Sequence, residues 1–279
     1  RYLQSFNLSE FELDLKLYDK SNKSLQKSLD IFKNNAVGKN HKISDYIYNK
    51  NIELPETFDL VIISTSSFER LEVIKNIYTR SNINHLILEK ILFPRLEDYD
   101  TAKKILSNNK VHVNCANRAM ESYRALKDFI DLSKPIKFIV SGSNWGLACN
   151  SIHYLDFFKW ISNSNKLKLV SNKLKKTLYP SKRDNYNEFY GEFSAIDELN
   201  NQIWISCNKS FNEDNQKRNY KIINGETSIF IDPDRNICKI MKNKRHFHSY
   251  EFIEEKVSDY FSIISKKIFN NIEIDLPTY

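Results

Sequence analysis

Apolar and polar residues alternate through FELDLKLYD, with Phe11, Leu13, Leu15 and Leu17 at every second position before Asp19. A period of two predicts a strand. The period then changes: in NKSLQKSLDIFKNN, Leu25, Leu29 and Phe32 recur at helical spacing. The stretch from Ala36 to Thr57 carries no clear period. A regular rhythm follows. FDLVIIST is a continuous apolar run of the kind found in strands covered on both faces. SFERLEVIKNIYTR places Leu71, Ile74 and Ile77 on one helical face, and INHLILEK is a second apolar strand. RLEDYDTAKKILSNN predicts a helix with Leu96, Tyr99, Ala102 and Leu106 inward, and VHVNCANR a third strand. Strands alternating with helices through short links predict parallel pairing, right-handed crossovers and a doubly wound sheet.

After Arg118 the pattern shifts. AMESYRALKDFI predicts a helix, IKFIVSGSNWG a strand leading to a turn, and NSIHYLDFFKWIS a helix rich in aromatics. From about Lys168 the chain becomes strand-like, in EFSAI, QIWISC, YKIING and TSIFIDPDRNICKIM. Asn224-Gly225 and Asp232-Pro233-Asp234 are turn signals, so these strands are expected to pair antiparallel. A last helix is expected between Glu251 and Phe269. The expected architecture is α/β. Residues 1–118 form a Rossmann-like parallel sheet, and residues 119–279 an α+β domain on a mostly antiparallel sheet.

The 279 residues provide for one large domain or two ordinary ones. No run approaches the roughly 20 apolar residues of a membrane span, and no signal peptide is read, so a cytoplasmic protein without a membrane partner is expected. Cys115, Cys149, Cys207 and Cys238 are far apart and form no CxxC pair, which predicts reduced thiols rather than a disulfide framework or a zinc site. The net charge of +7 raises the question of nucleic acid. The basic residues are interleaved with acids and asparagines, as in NKLKKTLYPSKRD and NEDNQKRNY, and read as solvated surface with no nucleic-acid partner. His246 and His248 in RHFHSY would face one way on a strand. They lack a third ligand, so no metal is expected.

The run INHLILEK ends abruptly in Glu89-Lys90. Burying such charges costs several kcal/mol unless they are paired or used. In an open parallel sheet, ligands bind beyond the carboxyl ends of the strands. That rule gathers Asp19, Ser64-Thr65-Ser66, Glu89-Lys90 and Asn117-Arg118. An acidic residue after a strand suits the ribose hydroxyls of an adenine dinucleotide, with a Gly-rich turn about twenty residues earlier. Counting back from Asp19 lands at or before Arg1, and none of the five glycines forms GxGxxG. The first strand and its Gly-rich loop are therefore expected to be missing from these residues. An Asp in that place also serves as a plain helix cap. In GLACNSIHYLDFFKW, His153 lies among Ile152, Leu155 and Phe157. Such a histidine is either a satisfied core residue or a proton carrier, and Asp156 at i+3 either orients it or caps a surface.

DLVIISTSSFERLEVIKNI, INHLILEKIL, VNCANRAMESYRALKDFI and WGLACNSIHYLDFFKW, in this order and spacing, resemble the glucose-fructose oxidoreductase / inositol dehydrogenase (Gfo/Idh/MocA) family. The likeness covers Arg1 to about Trp160, with RYLQSF resembling the helix after that family's Gly-rich loop. Beyond Trp160 it rests on the domain pattern and the ending DLPTY. The resemblance implies an NAD(P)-dependent oxidoreductase acting on a sugar or nucleotide-sugar. It implies that Lys90 lies beside the nicotinamide and hydrogen-bonds the substrate oxygen, and that His153 is the acid/base. Asp19, Thr65, Ser66, Glu89, Asn117 and Arg118 join Lys90 as candidate cofactor contacts, and Trp145 and Asn150 are candidate substrate contacts. Asp19 argues for NAD, whereas Lys20 and Lys23 could meet the phosphate of NADP. A homo-oligomer through the C-terminal sheet is a further implication. Two departures stand out. Glu89-Lys90-Ile91 replaces the usual Glu-Lys-Pro, and Cys149 stands where many members carry an acid one turn before the histidine. These departures keep a second reading open, a relative that binds a dinucleotide or sugar without turning it over.

Overall fold

A computed structural model describes residues 1–35, 41–107, 110–181, 186–210 and 216–279. The start of the unpatterned stretch, the last residues of the helix expected to reach Asn109, and parts of both charged stretches lie outside the described residues. The chain forms two compact units, Arg1–Asn114 with Glu255–Tyr279, and Cys115–Glu254.

The first unit begins with α1 (Tyr2–Phe6), β1 (Asp14–Asp19), α2 (Asn22–Asn35) and β2 (Lys42–Ile47). It continues through β3 (Thr57–Ile63), α3 (Ser67–Tyr78), β4 (Asn82–Leu88), α4 (Leu96–Leu106) and β5 (Lys110–Val113). Every strand pair is parallel, as the alternation of strands and helices predicts. The strands fall into two sheets, β1–β2 and β3–β4–β5, so β1 and β3 each have an open edge among the described residues. β4 is the centre of its sheet: Leu86, Ile87 and Leu88 are fully buried, with Ile74, Ala102 and Leu106 also in the core. Leu96, expected inward, is 86% exposed. It opens α4 ahead of the buried stripe, and Asp98 turns inward instead, paired with Arg95.

The last 25 residues, expected in the second domain, belong to the first unit. Phe261 of α7 (Val257–Phe269) packs edge-on against Tyr2 at 4.7 Å and Phe6 at 6.1 Å. The tail then runs along β5, where Val113 N–H donates to Pro277 O (2.9 Å) and Tyr279 N–H to Val111 O (3.0 Å). The expected boundary at 118 accordingly moves to Asn114, and the chain returns at Glu255.

In the second unit, the helix expected over AMESYRALKDFI breaks into a 3-10 turn at Ala116–Ala119, α5 (Glu121–Arg124) and a second 3-10 turn at Ala125–Phe129. Met120, Tyr123 and Leu126 are buried at intervals of three, the period of a 3-10 helix rather than an α-helix. There follow β6 (Ile136–Ser143), α6 (Leu147–Ser162), β7 (Leu167–Leu174), β8 (Tyr179–Pro180), β9 (Asn187–Glu188), β10 (Gly191–Asp197) and β11 (Gln202–Cys207). β12 (Lys217–Asn224), β13 (Thr227–Asp232), β14 (Ile237–Lys242) and β15 (Arg245–Glu251) complete the unit. Eight of these strands form one sheet in the order β15-β14-β13-β12-β6-β11-β10-β7. All its pairs are antiparallel except β6–β11. Gly225, at φ +57°, makes the tight β12–β13 turn that Asn224-Gly225 signals.

Phe138, Val140, Ile203, Ile205 and Ile222 are buried on the inner face of this sheet, as are Tyr154, Phe157 and Ile161 of α6. A polar knot is set into this core. The Glu254 carboxylate accepts from Tyr123 OH (2.7 Å), Tyr220 OH (2.9 Å) and Arg218 Nη2 (2.6 Å). Burial, reinforced by Glu254, pushes the Tyr123 phenol far up, so it stays a neutral donor. The opposite face is open, and carries Ile139 with the exposed Trp204 and Phe230.

Candidate functional site

In the first unit, the expected residues stand at the carboxyl ends of β1, β3 and β4. Asp19 is exposed, and its Oδ1 accepts from Ser21 N–H (2.8 Å) where α2 begins. This contact is a turn ahead of the helix; the cap of α2 is Ser21, whose Oγ accepts from Ser24 N–H (3.3 Å). Lys20 is held by Glu69 of α3. Ser66 is exposed immediately before α3, while Thr65 is half-buried with its Oγ1 enclosed and without a hydrogen-bond partner.

Glu89 is the most connected of these groups. Its Oε1 accepts from the Tyr2 hydroxyl and from Asn114 Nδ2 (2.9 Å). Asn114 Oδ1 in turn accepts from Tyr260 OH (3.0 Å), so α1, β4 and α7 are tied at one carboxylate. Burial first, and Glu89 second, raise the Tyr2 phenol well above its ordinary range, so it too is a neutral donor. Lys90 follows directly, half-buried, with a cis peptide joining it to Ile91.

Arg70, outside the expected set, is tied to the backbone that follows Lys90. It is 2% exposed, and its guanidinium donates to the carbonyls of Thr65, Ile91 and Leu92. Its signal was present in the sequence. Arg70, Ile74 and Ile77 fall at i, i+4 and i+7, so a charge sits on the apolar stripe of α3 and must find partners inside.

In the second unit, Asn117 is 8% exposed, and its Nδ2 is buried without a hydrogen-bond partner. Arg118 Nε lies 3.2 Å from Asp156 Oδ2, with both side chains largely buried. Burial lifts the Asp156 carboxyl to about 6, against the opposing pull of Arg118 and Lys159. His153 is half-buried on α6, three residues before Asp156. The expected substrate contacts are used within the protein: Trp145 Nε1 donates to Ser206 O (3.1 Å), and Asn150 Nδ2 to Trp145 O (2.7 Å).

Glu188, from β9, was not anticipated. Its carboxylate accepts from Ala148 N–H (2.8 Å) and Cys149 N–H (3.2 Å), capping α6 after Gly146, which turns the chain at φ +77°. No local pattern marks a cap that arrives from 40 residues away.

No group of metal-binding side chains occurs among the described residues. The two histidines of β15 do not face one way. A bulge sets His248 opposite Ile240 and His246 opposite Met241. His248 stacks on Phe129 at 6.0 Å, and His246 meets Ser249 Oγ at 2.8 Å. Cys115, Cys207 and Cys238 are buried free thiols, as expected, and Cys149 is half-buried. No helix among the described residues is long and apolar enough to cross a membrane. A cavity of about 370 Å³ lies on the open face of the large sheet, lined by Ile139, Lys221, Phe230 and Arg235, and contains none of the expected site residues.

Within the first unit, the enclosed Thr65 Oγ1 suits a ligand that carries hydroxyl or amide groups, as a nicotinamide dinucleotide does. No GxGxxG motif occurs among these 279 residues.

No family model matches the sequence, and no curated protein does. Solved structures share the fold. UDP-N-acetylglucosamine 3-dehydrogenase GnnA from Acidithiobacillus ferrooxidans superposes with a TM-score of 0.69 at 11% identity, covering 99% of this chain and 86% of that one. An oxidoreductase from Agrobacterium radiobacter, in complex with NAD+, L-tartaric acid and magnesium, gives 0.67 at 12%, covering 99% and 87%. The super-repressor mutant of Gal80p from Saccharomyces cerevisiae gives 0.69 at 13%, covering 99% and 82%. The architecture is the one that the resemblance to Gfo/Idh/MocA dehydrogenases implies.

Proposed function

With that fold as the premise, we propose that this chain is an NAD(P)-dependent oxidoreductase acting on a secondary alcohol or ketone carbon of a sugar or nucleotide-sugar. The observation that carries the reading is Glu89. Tyr2 and Asn114 fix its carboxylate at the end of β4, and this sets the next residue, Lys90, at the edge where parallel sheets bind ligands. The likeness to GnnA, whose name states a nucleotide-sugar substrate, supports the substrate class.

A bound nicotinamide supplies or accepts the hydride. The chain's residues do the rest. The Lys90 ammonium donates to the substrate oxygen and stabilises the charge that grows there. His153 takes the hydroxyl proton in the oxidative direction and returns it in the reductive one. Thr65, Ser66, Asn117 and Arg118 hold the cofactor, and Glu89 keeps Oε2 for a ribose hydroxyl. Trp145 and Asn150, already bonded to the protein, shape the substrate pocket rather than donate into it. Asp19 favours NAD, and the pairing of Lys20 with Glu69 removes one cation that a 2′-phosphate would use. The apolar open face of the large sheet is read as the seat of a second copy.

The reading is tested by incubating the full-length protein with NAD+ or NADP+ and a panel of sugars and nucleotide-sugars, and following nicotinamide reduction. Two observations favour the rival reading, a binding protein without turnover. Cys149 occupies the place of the family's acid, and the fold is shared with a repressor mutant of Gal80p. Dinucleotide binding with no reduction across the panel would select that rival.

A further inference from the structure

Arg70 carries an inference of its own. A guanidinium that is 2% exposed costs several kcal/mol unless hydrogen bonds compensate it. Here it donates to three main-chain carbonyls in two separate loops, Thr65 after β3, and Ile91 and Leu92 after β4. Arg70 stands in the first turns of α3, where side chains lean back toward the helix N-terminus. That lean places the guanidinium over the loops rather than over the helix. Only a planar fork with five donors reaches carbonyls on both sides at once. Irregular backbone at a strand exit has no ladder partners, so whatever satisfies its carbonyls also sets its path.

We infer that Arg70 is a positioning residue for Lys90: it fastens the backbone following Lys90 to the exit of β3, and so determines where the Lys90 ammonium stands. Glu89 holds the segment from the side before Lys90, and Arg70 from the side after. The catalytic part of this inference rests on the oxidoreductase reading; the positional part does not.

Arg70→Met and Arg70→Lys are made in the full-length protein. Folding is read by circular dichroism and thermal melting, and turnover by kcat and KM. Lys90 is read directly by the rate at which an amine-directed reagent labels it, by mass spectrometry against pH, with exposed Lys104 as the internal reference. In folded Arg70→Met, kcat is expected to fall about 10- to 100-fold, as displacement of a reacting group does, with a much smaller change in dinucleotide KM. The labelling profile of Lys90 shifts relative to Lys104, and Arg70→Lys falls between Met and wild type. A folded variant with wild-type labelling overturns the inference. Failure of both variants to fold also overturns it, because Arg70 is then a stability element alone. If the wild-type protein turns over no sugar, the functional reading fails, and a shifted Lys90 profile still upholds the clamp.

Discussion

Asp156 meets Arg118, not His153, as its ion-pair partner: Oδ2 and Nε are 3.2 Å apart, with the side chains 14% and 17% exposed. The i+3 spacing from His153 suggested that this acid orients the histidine or caps a surface; what it pairs with instead is the arginine that follows Asn117. The pair is well buried, and burial outweighs attraction, which is why the carboxyl rises to about 6.

A raised carboxyl has a definite consequence for stability. The folded protein holds this proton more tightly than the unfolded chain, so the favourable contribution is complete below about pH 4 and is lost as pH rises through about 6. The shift from 3.8 to about 6 corresponds to something on the order of 3 kcal/mol. Melting temperature measured across that range should show the decline in wild type and a flatter curve in Asp156→Asn. Parallel curves would remove Asp156 as the cause.

Glu254→Gln should destabilise the second unit by about 2 kcal/mol. It leaves Arg218 without its counter-charge and weakens the acceptor that Tyr123 and Tyr220 share. Glu254 retains some solvent contact, which keeps the figure below that of a fully buried pair. Urea unfolding of the variant checks it, and an unchanged midpoint would show that the knot adds nothing.

The open face of the large sheet predicts association. Trp204 and Phe230 are 39% and 42% exposed on it, and a mixed apolar patch of that kind is a common self-association surface. Light scattering of the wild-type protein should report a multiple of the single-chain mass. Trp204→Glu should shift it to the single-chain mass while leaving the circular dichroism intact. A wild-type protein that is already monomeric at micromolar concentration would contradict this.

The legible and illegible parts of the chain separate by the range of the interactions involved. α2 appears where expected because Leu25, Leu29 and Phe32 form an uninterrupted stripe that stays buried. β2 was missed because KISDYI is a half-exposed edge strand whose alternation is blurred. The helix over AMESYRALKDFI broke because its buried residues recur every third position. The return of α7 to the first unit could not be read locally, since it depends on Phe261 finding Tyr2 and Phe6. The same holds for the site. The charged strand endings were visible, but the contacts that fix them, Arg70 with Ile91, Asn114 with Glu89 and Tyr260 with Asn114, span 21 residues or more, as does the Glu188 cap of α6.

The central claim is that Lys90 stabilises the reacting oxygen and contributes little to holding the dinucleotide. Single-turnover nicotinamide reduction, measured beside dinucleotide affinity in wild type and Lys90→Met, tests it most directly. A loss of about 10²- to 10³-fold in rate, with affinity nearly unchanged, is the predicted result. Equal losses in rate and affinity, or a variant as fast as wild type, would contradict the account.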